Sequence, residues 1–386
     1  MVQLQSEEAH WIQHGHLDVP AWQQVEVEQG GQFSFGPSST LHAGENGGIK
    51  FFQSESAIMT LDQNVQWIGN GQVGVYGGRC DWLEEGQLYS AVNHKWLGTK
   101  LHGNSSETWQ LFTTNRVIFE DGEIAELAWE HHGNQDIDNS FRLGHSELSE
   151  AKLKIVESPG KLKSNEMVHS QIDLDGVASP FFVLDNNWHS AWYNPSPSLT
   201  ISSNSESIRL EGNNWIGGVG LSLIDANVVA TCNVWDHCEK GVVLIGETES
   251  CFAMSCGGGH NQWKDNTVHF ELQDTPLPVL EWGNNMIATA DEWVFEGSTS
   301  SNTQQWNIAG VDWADDWTTG PTTALIPSML ESCNGNNCEP INCWKEGQYA
   351  FAGCPLGGKP KPSPSPKSLH FLGSWNFLGQ EVLSVQ

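Results

Sequence analysis

At 386 residues the chain is long enough for two domains, or for one large β domain with additions. Its 47 Asp and Glu against 17 Lys and Arg give a formal net charge of -30, which repels phosphate backbones and argues against direct nucleic-acid binding. The 19 Trp, 15 Phe and 4 Tyr exclude a disordered chain and predict a packed fold.

The first residues, MVQLQSEEAHWIQHGH, carry neither a basic segment nor an apolar run, so no secretory signal is read there. No apolar stretch is long enough to span a bilayer. Synthesis in the cytosol without a signal peptide, with a final location in a virion or outside cells, is the expectation. His10, His14 and His16 lie close together, but no carboxylate completes a metal pattern around them, so they read as a solvated segment.

Residues 1–140 form a Gly- and Trp-rich β region. GGIKFFQ, AIMTL, VQWIG, GQVGVYGG and RVIFE follow one another between Gly, Asn and Asp turn signals. Residues 141–170 read as a connector or insertion, with a short helix over LGHSELSEAKLKIVE (143–157) and Ser146 as its cap. Residues 171–300 form a second β region, from SPFFVL through WIGGVGLSLI to EWVFEG. VQWIGNGQVGVYGG and NNWIGGVGLSLI echo each other, but no fixed-period repeat stands out. Regularly spaced short strands predict a mainly β protein, an antiparallel sandwich or jelly roll with little helix and an extended C-terminal arm.

Residues 301–356 form a Cys-rich loop region. Cys333, Cys338, Cys343 and Cys354 could surround one zinc or an iron–sulfur centre, pair as disulfides, or stay ordinary loop thiols. An earlier cluster, Cys232, Cys238, Cys251 and Cys256, falls on predicted strands, where Cys is often a small buried hydrophobe; His237 is its one extra ligand candidate.

Residues 357–386 combine a Pro-rich spacer with an apolar arm. Leu369, Phe371, Trp375, Phe377 and Leu378 would be sticky in water, so the arm either folds back or docks on a neighbouring copy or another particle protein.

Trp188 and Trp192, with Asp185 and Asn186, form the best sugar platform in the sequence, because aromatic faces beside amides suit a pyranose ring. No nucleophile elbow, Walker loop or dinucleotide fingerprint occurs. The chain resembles no family closely enough to name one. The expectation is therefore a non-enzymatic structural component of a virus or phage particle (accessory capsid, cement or tail protein). The alternatives are an extracellular carbohydrate-binding or carbohydrate-cleaving β protein and a four-cysteine metalloprotein.

Overall fold

The computed structural model describes residues 2–4, 10–133, 140–191, 195–204, 208–248, 250–252 and 261–275, with strand segments at 286–287, 290–299, 312–313, 374–375 and 381–382. Among the described residues every regular element is a strand. None is a helix long and apolar enough to cross a membrane.

The strands do not pair with their chain neighbours. Each lies parallel to a strand one full turn of chain later, so the fold is a β-solenoid and not an antiparallel sandwich or jelly roll. Face 1 is an eleven-strand parallel sheet running from Val2–Leu4 through Gln24–Gln29, Gly48–Gln53, Gln72–Tyr76, Asn93–Leu97, Val117–Glu120, Phe141–Gly144, Gly160–Lys163 and Phe181–Leu184 to Ile208–Glu211 and Val228–Thr231. Face 2 includes Gln32–Phe35, Ile58–Leu61, Glu166–Val168, Asn187–His189, Asn214–Ile216, Val234–Asp236 and Gln262–Lys264. Face 3 includes Thr40–Ala43, Lys152–Val156, Gln171–Asp175, Val219–Ile224, Lys240–Ile245 and Asn266–Thr275. Lys100–Thr113 and Glu123–His132 run round the corner between faces 2 and 3 without a break. The one antiparallel pair among the described residues joins Ser374–Trp375 to Glu381–Val382.

Corners explain why short strands with turn signals make a tube. At the corner from face 1 to face 2, Asp121, His145, Ser164, Asp185 and Gly212 all adopt positive φ, between 51° and 68°. One left-handed residue redirects the chain onto the next face, whereas a hairpin would reverse it beside the strand just left. Period-2 alternation then sends every second side chain inward, as in Lys152–Val156 and Gln171–Asp175.

The expected helix over 143–157 is three strand segments, Phe141–Gly144, Glu147–Ser149 and Lys152–Val156. His145 and Glu150 sit at left-handed corners (φ 51° each), which a helix cannot contain. Leu143, Leu148, Leu153 and Ile155 all point inward, so they imitate a helical stripe without making one.

Inside the later coils run two ladders. Asn165, Asn186, Asn213, Asn233 and Asn261 occupy one buried corner position. In the Asn213 rung, Oδ1 accepts from the Asn186 backbone N–H at 3.1 Å and from its Nδ2 at 3.0 Å. Its own Nδ2 donates to the Val183 carbonyl at 2.8 Å and to Asn233 Oδ1 at 2.9 Å. Each interior rung therefore satisfies its amide completely, which a buried polar group requires. Two residues after the last four asparagines stand Trp188, Trp215, Trp235 and Trp263, stacked at 4.8, 4.9 and 4.8 Å with planes within 8°. That separation is the spacing of neighbouring strands, so the sheet sets the stack. Gly220 makes room for it: a Cβ there would lie 2.7 Å from Trp235 Cδ1 and from the Gly241 carbonyl oxygen.

Candidate functional site

The sequence-derived sugar platform does not face solvent. Trp188 is 1% and Asn186 0% exposed, and both belong to the interior ladders. Their spacing is what a strand uses to put i and i+2 on one side, and here that side is the core. Asp185 is the half-exposed corner residue before Asn186; burial raises its pKa, opposed by the charge of Lys163 and then Lys161 and reinforced by Glu211. Trp192 lies outside the described residues, as do Cys333, Cys338, Cys343 and Cys354 and the arm residues Leu369, Phe371, Phe377 and Leu378. Of the arm, the backbone of Trp375 is described, in the short antiparallel pair.

The described cysteines hold no metal set. Cys80 and Cys238 are buried free thiols, Cys232 is a free exposed one, and Cys251 is disulfide-bonded. Burial pushes the Cys238 thiol up to about 12, the opposite of what a thiolate ligand needs. His237 turns outward, away from Cys238, and joins Asp236 and Asp265 in a surface group whose ligand atoms lie within 4.8 Å of one another. Asp236 is already engaged there by His237 Nδ1 at 2.7 Å and Lys264 Nζ at 2.5 Å.

The outer surface of face 1 holds the more informative arrangement. Six of the chain's 17 basic residues, Lys50, Lys95, Arg142, Lys161, Lys163 and Arg209, are on its strands, against four acidic ones, Glu26, Glu28, Glu120 and Glu211. On a chain of net charge -30 this face is locally cationic. Register aligns Lys95, Ile118, Arg142, Lys161, Phe182 and Arg209 in one outward row, each opposite the next. The neighbouring row runs Leu97, Glu120, Gly144, Lys163, Leu184.

Within these rows lies a groove of about 410 Å³, lined among others by Arg142, Lys161, Lys163, Phe182, His145 and Glu120. Gly144 leaves its middle open, since a Cβ there would meet only Lys163 O at 3.6 Å and Glu120 Cγ at 3.9 Å. Among the described residues Arg142, Lys161 and Lys163 form no ion pair, unlike Arg209, which is held by Glu211 at 2.9 Å. Cations without a close ion pair, beside an aromatic ring, are suited to an anionic ligand with an apolar side. Glu120 is the one carboxylate lining the groove, so the pair of acids that glycoside hydrolysis commonly uses is not assembled there.

Face 1 also carries an aromatic pair. Phe52 and Tyr76 stack at 5.0 Å on its outer side, with Phe52 38% exposed. The Tyr76 ring folds over Gly74, where an added Cβ would lie 2.8 Å from Cε2. The sequence signal for this site was available only through register: the lysines and arginines are far apart in the chain and become a row once each strand is laid on the one a coil earlier. No protein-family model matches the chain, and no curated protein shows significant similarity to it.

Proposed function

We propose that this protein is a non-catalytic, carbohydrate-binding β-solenoid that holds an acidic polysaccharide against face 1. The observation that carries the reading is the groove of Arg142, Lys161 and Lys163, free of ion pairs and flanked by Phe182 on an otherwise acidic molecule. Carboxylate or sulfate groups spaced along a polymer match cations repeated along a parallel sheet, one strand spacing of about 4.8 Å apart. The acidic remainder of the surface repels the same polymer and so confines it to this face.

A second reading is a structural shaft in a virus or phage particle. It is favoured by the unbroken pairing of face 1 over eleven strands, a stiff rod about 48 Å long at the ordinary strand spacing. The two readings are compatible if the rod is the glycan-binding part of the particle.

The test is calorimetric titration with alginate and with heparin. Binding that weakens as salt rises, and at least tenfold weaker binding by the Lys161→Ala/Lys163→Ala variant, is the expected result. Wild-type protein that binds neither polymer at low salt would contradict the reading.

A further inference from the structure

Resting on that reading, we infer that the polysaccharide lies parallel to the solenoid axis and continues from the cationic groove onto a second subsite lined mainly by amides. This subsite is a column of amides at the starts of the face 1 strands. Gln24, Gly48, Gln72 and Asn93 stand opposite one another in successive coils. Arg116 extends the column, since its carbonyl accepts the His94 N–H at 2.7 Å one residue beyond Asn93.

The column borders a groove of about 460 Å³. Its floor is backbone. A Cβ at Gly48 would fall 2.7 Å from Gln72 O, and one at Gly71 would fall 2.6 Å from the carbonyls of Gly44 and Gly47. The amide side chains are thus the groups presented to a ligand. Among the described residues the side chains of Gln72 and Asn93 make no hydrogen bond within the protein, so both the donor and the acceptor end of each are available. Such groups recognise hydroxyls and acetamido groups and have no preference for charge. At the far end, Arg116 also lines the groove.

The two grooves adjoin. Ile118 lines the amide groove and stands directly opposite Arg142, which lines the cationic one. No strand separates them. From the strand of Gln24 to the strand of Phe182 is seven strand spacings, about 34 Å, so only a polymer of several sugars fills both. The matching ligand carries uronate carboxylates for the cationic end and uncharged sugars for the amide end.

Hyaluronan oligosaccharides, in which uronates alternate with neutral acetamido sugars, are the probe, and binding is measured by titration calorimetry. The account expects the dodecasaccharide to bind at least tenfold more tightly than the tetrasaccharide. It expects Gln72→Ala/Asn93→Ala to bring the dodecasaccharide down to the affinity of the tetrasaccharide while leaving tetrasaccharide binding unchanged. Lys161→Ala/Lys163→Ala should weaken both lengths. Equal affinity for both lengths, or wild-type dodecasaccharide binding by the amide variant, would overturn the extension and leave the cationic-groove reading standing. Tighter binding of a heparin dodecasaccharide that the amide variant also retains would mean sulfate recognition in the cationic groove alone, again overturning the extension. Failure of the wild type to bind hyaluronan, alginate or heparin would remove both. Single-stranded DNA displacing bound hyaluronan at lower concentration than free hyaluronan does would overturn the polysaccharide assignment. All four substitutions are at outward positions, and an unchanged melting temperature would show that the variants remain folded.

Discussion

The coils before Phe141 and those after it fill the same three-sided tube by different means. The earlier ones pack mixed aromatic rings at varied angles. Phe33, Phe35 and Phe51 meet at 59–79°, and Trp96 meets Trp129 edge-on at 83°. Their buried polar positions include His94, stacked between Trp67 and Trp96, and His131, bonded to Thr113 and Ser158. The later coils repeat one solution, with an amide rung at the corner and an indole two residues on. The difference teaches that a solenoid needs only inward apolar volume and satisfied corners at each coil, while repetition adds cooperativity between coils. The proposed ligand face spans both kinds of interior, because outward residues are chosen independently of inward ones on a strand.

The largest expected effect breaks the repeated half at its centre. Trp215→Ala removes an indole stacked on both sides and should destabilise by about 3–5 kcal/mol in chemical denaturation. Trp215→Phe should cost less, since it keeps an aromatic body and removes an indole N–H that has no acceptor.

Next comes the amide rung. Asn213→Ala strands the Asn186 N–H and Nδ2 and removes one of the two donors to Asn233 Oδ1, the Asn213 backbone N–H remaining, a loss of about 2–4 kcal/mol at roughly 1–3 kcal/mol per unsatisfied group. A loss under about 0.5 kcal/mol would mean that the ladder marks the corner without stabilising it.

The third effect sharpens the contrast by pH. Burial, and then the charge of a neighbouring histidine, lowers His94 and His131 from 6.5 to about 3. Both stay neutral in the folded state while the unfolded chain takes up protons. Their contribution is complete above pH 6.5 and is lost as pH falls toward 3, at up to about 1.4 kcal/mol per pH unit for each histidine. Denaturation midpoints of His94→Gln and His131→Gln should therefore fall less steeply than wild type between pH 6.5 and 4; parallel slopes would remove the histidines as the cause.

Much of this architecture was legible one strand at a time. GIKFFQ, TVHFELQ and EWVFEG fall on Gly48–Gln53, Asn266–Thr275 and Ala290–Thr299. Pairing direction was not legible, because alternation is the same in parallel and antiparallel sheets. The repeat was present as Asn-x-Trp at 186, 213, 233 and 261, and the echo between VQWIG and NNWIG touched it. Unequal loops between coils blurred the period. Trp188 misled for the same reason that it is informative: a large amphipathic ring serves a core stack as readily as a sugar. The proposed ligand face was not legible, because Lys95, Arg142 and Lys161 fall into one row only after the coils are stacked.

Segment-resolved amide hydrogen exchange on the native protein tests the central contrast most directly. The account predicts that amides in 160–245, where amide rungs and stacked indoles join coil to coil, exchange more slowly than those in 24–97, and that Asn213→Ala lowers protection in Asn187–His189 and Val234–Asp236 together. Uniform protection along the solenoid, or faster exchange in the ladder-bearing coils, would contradict it.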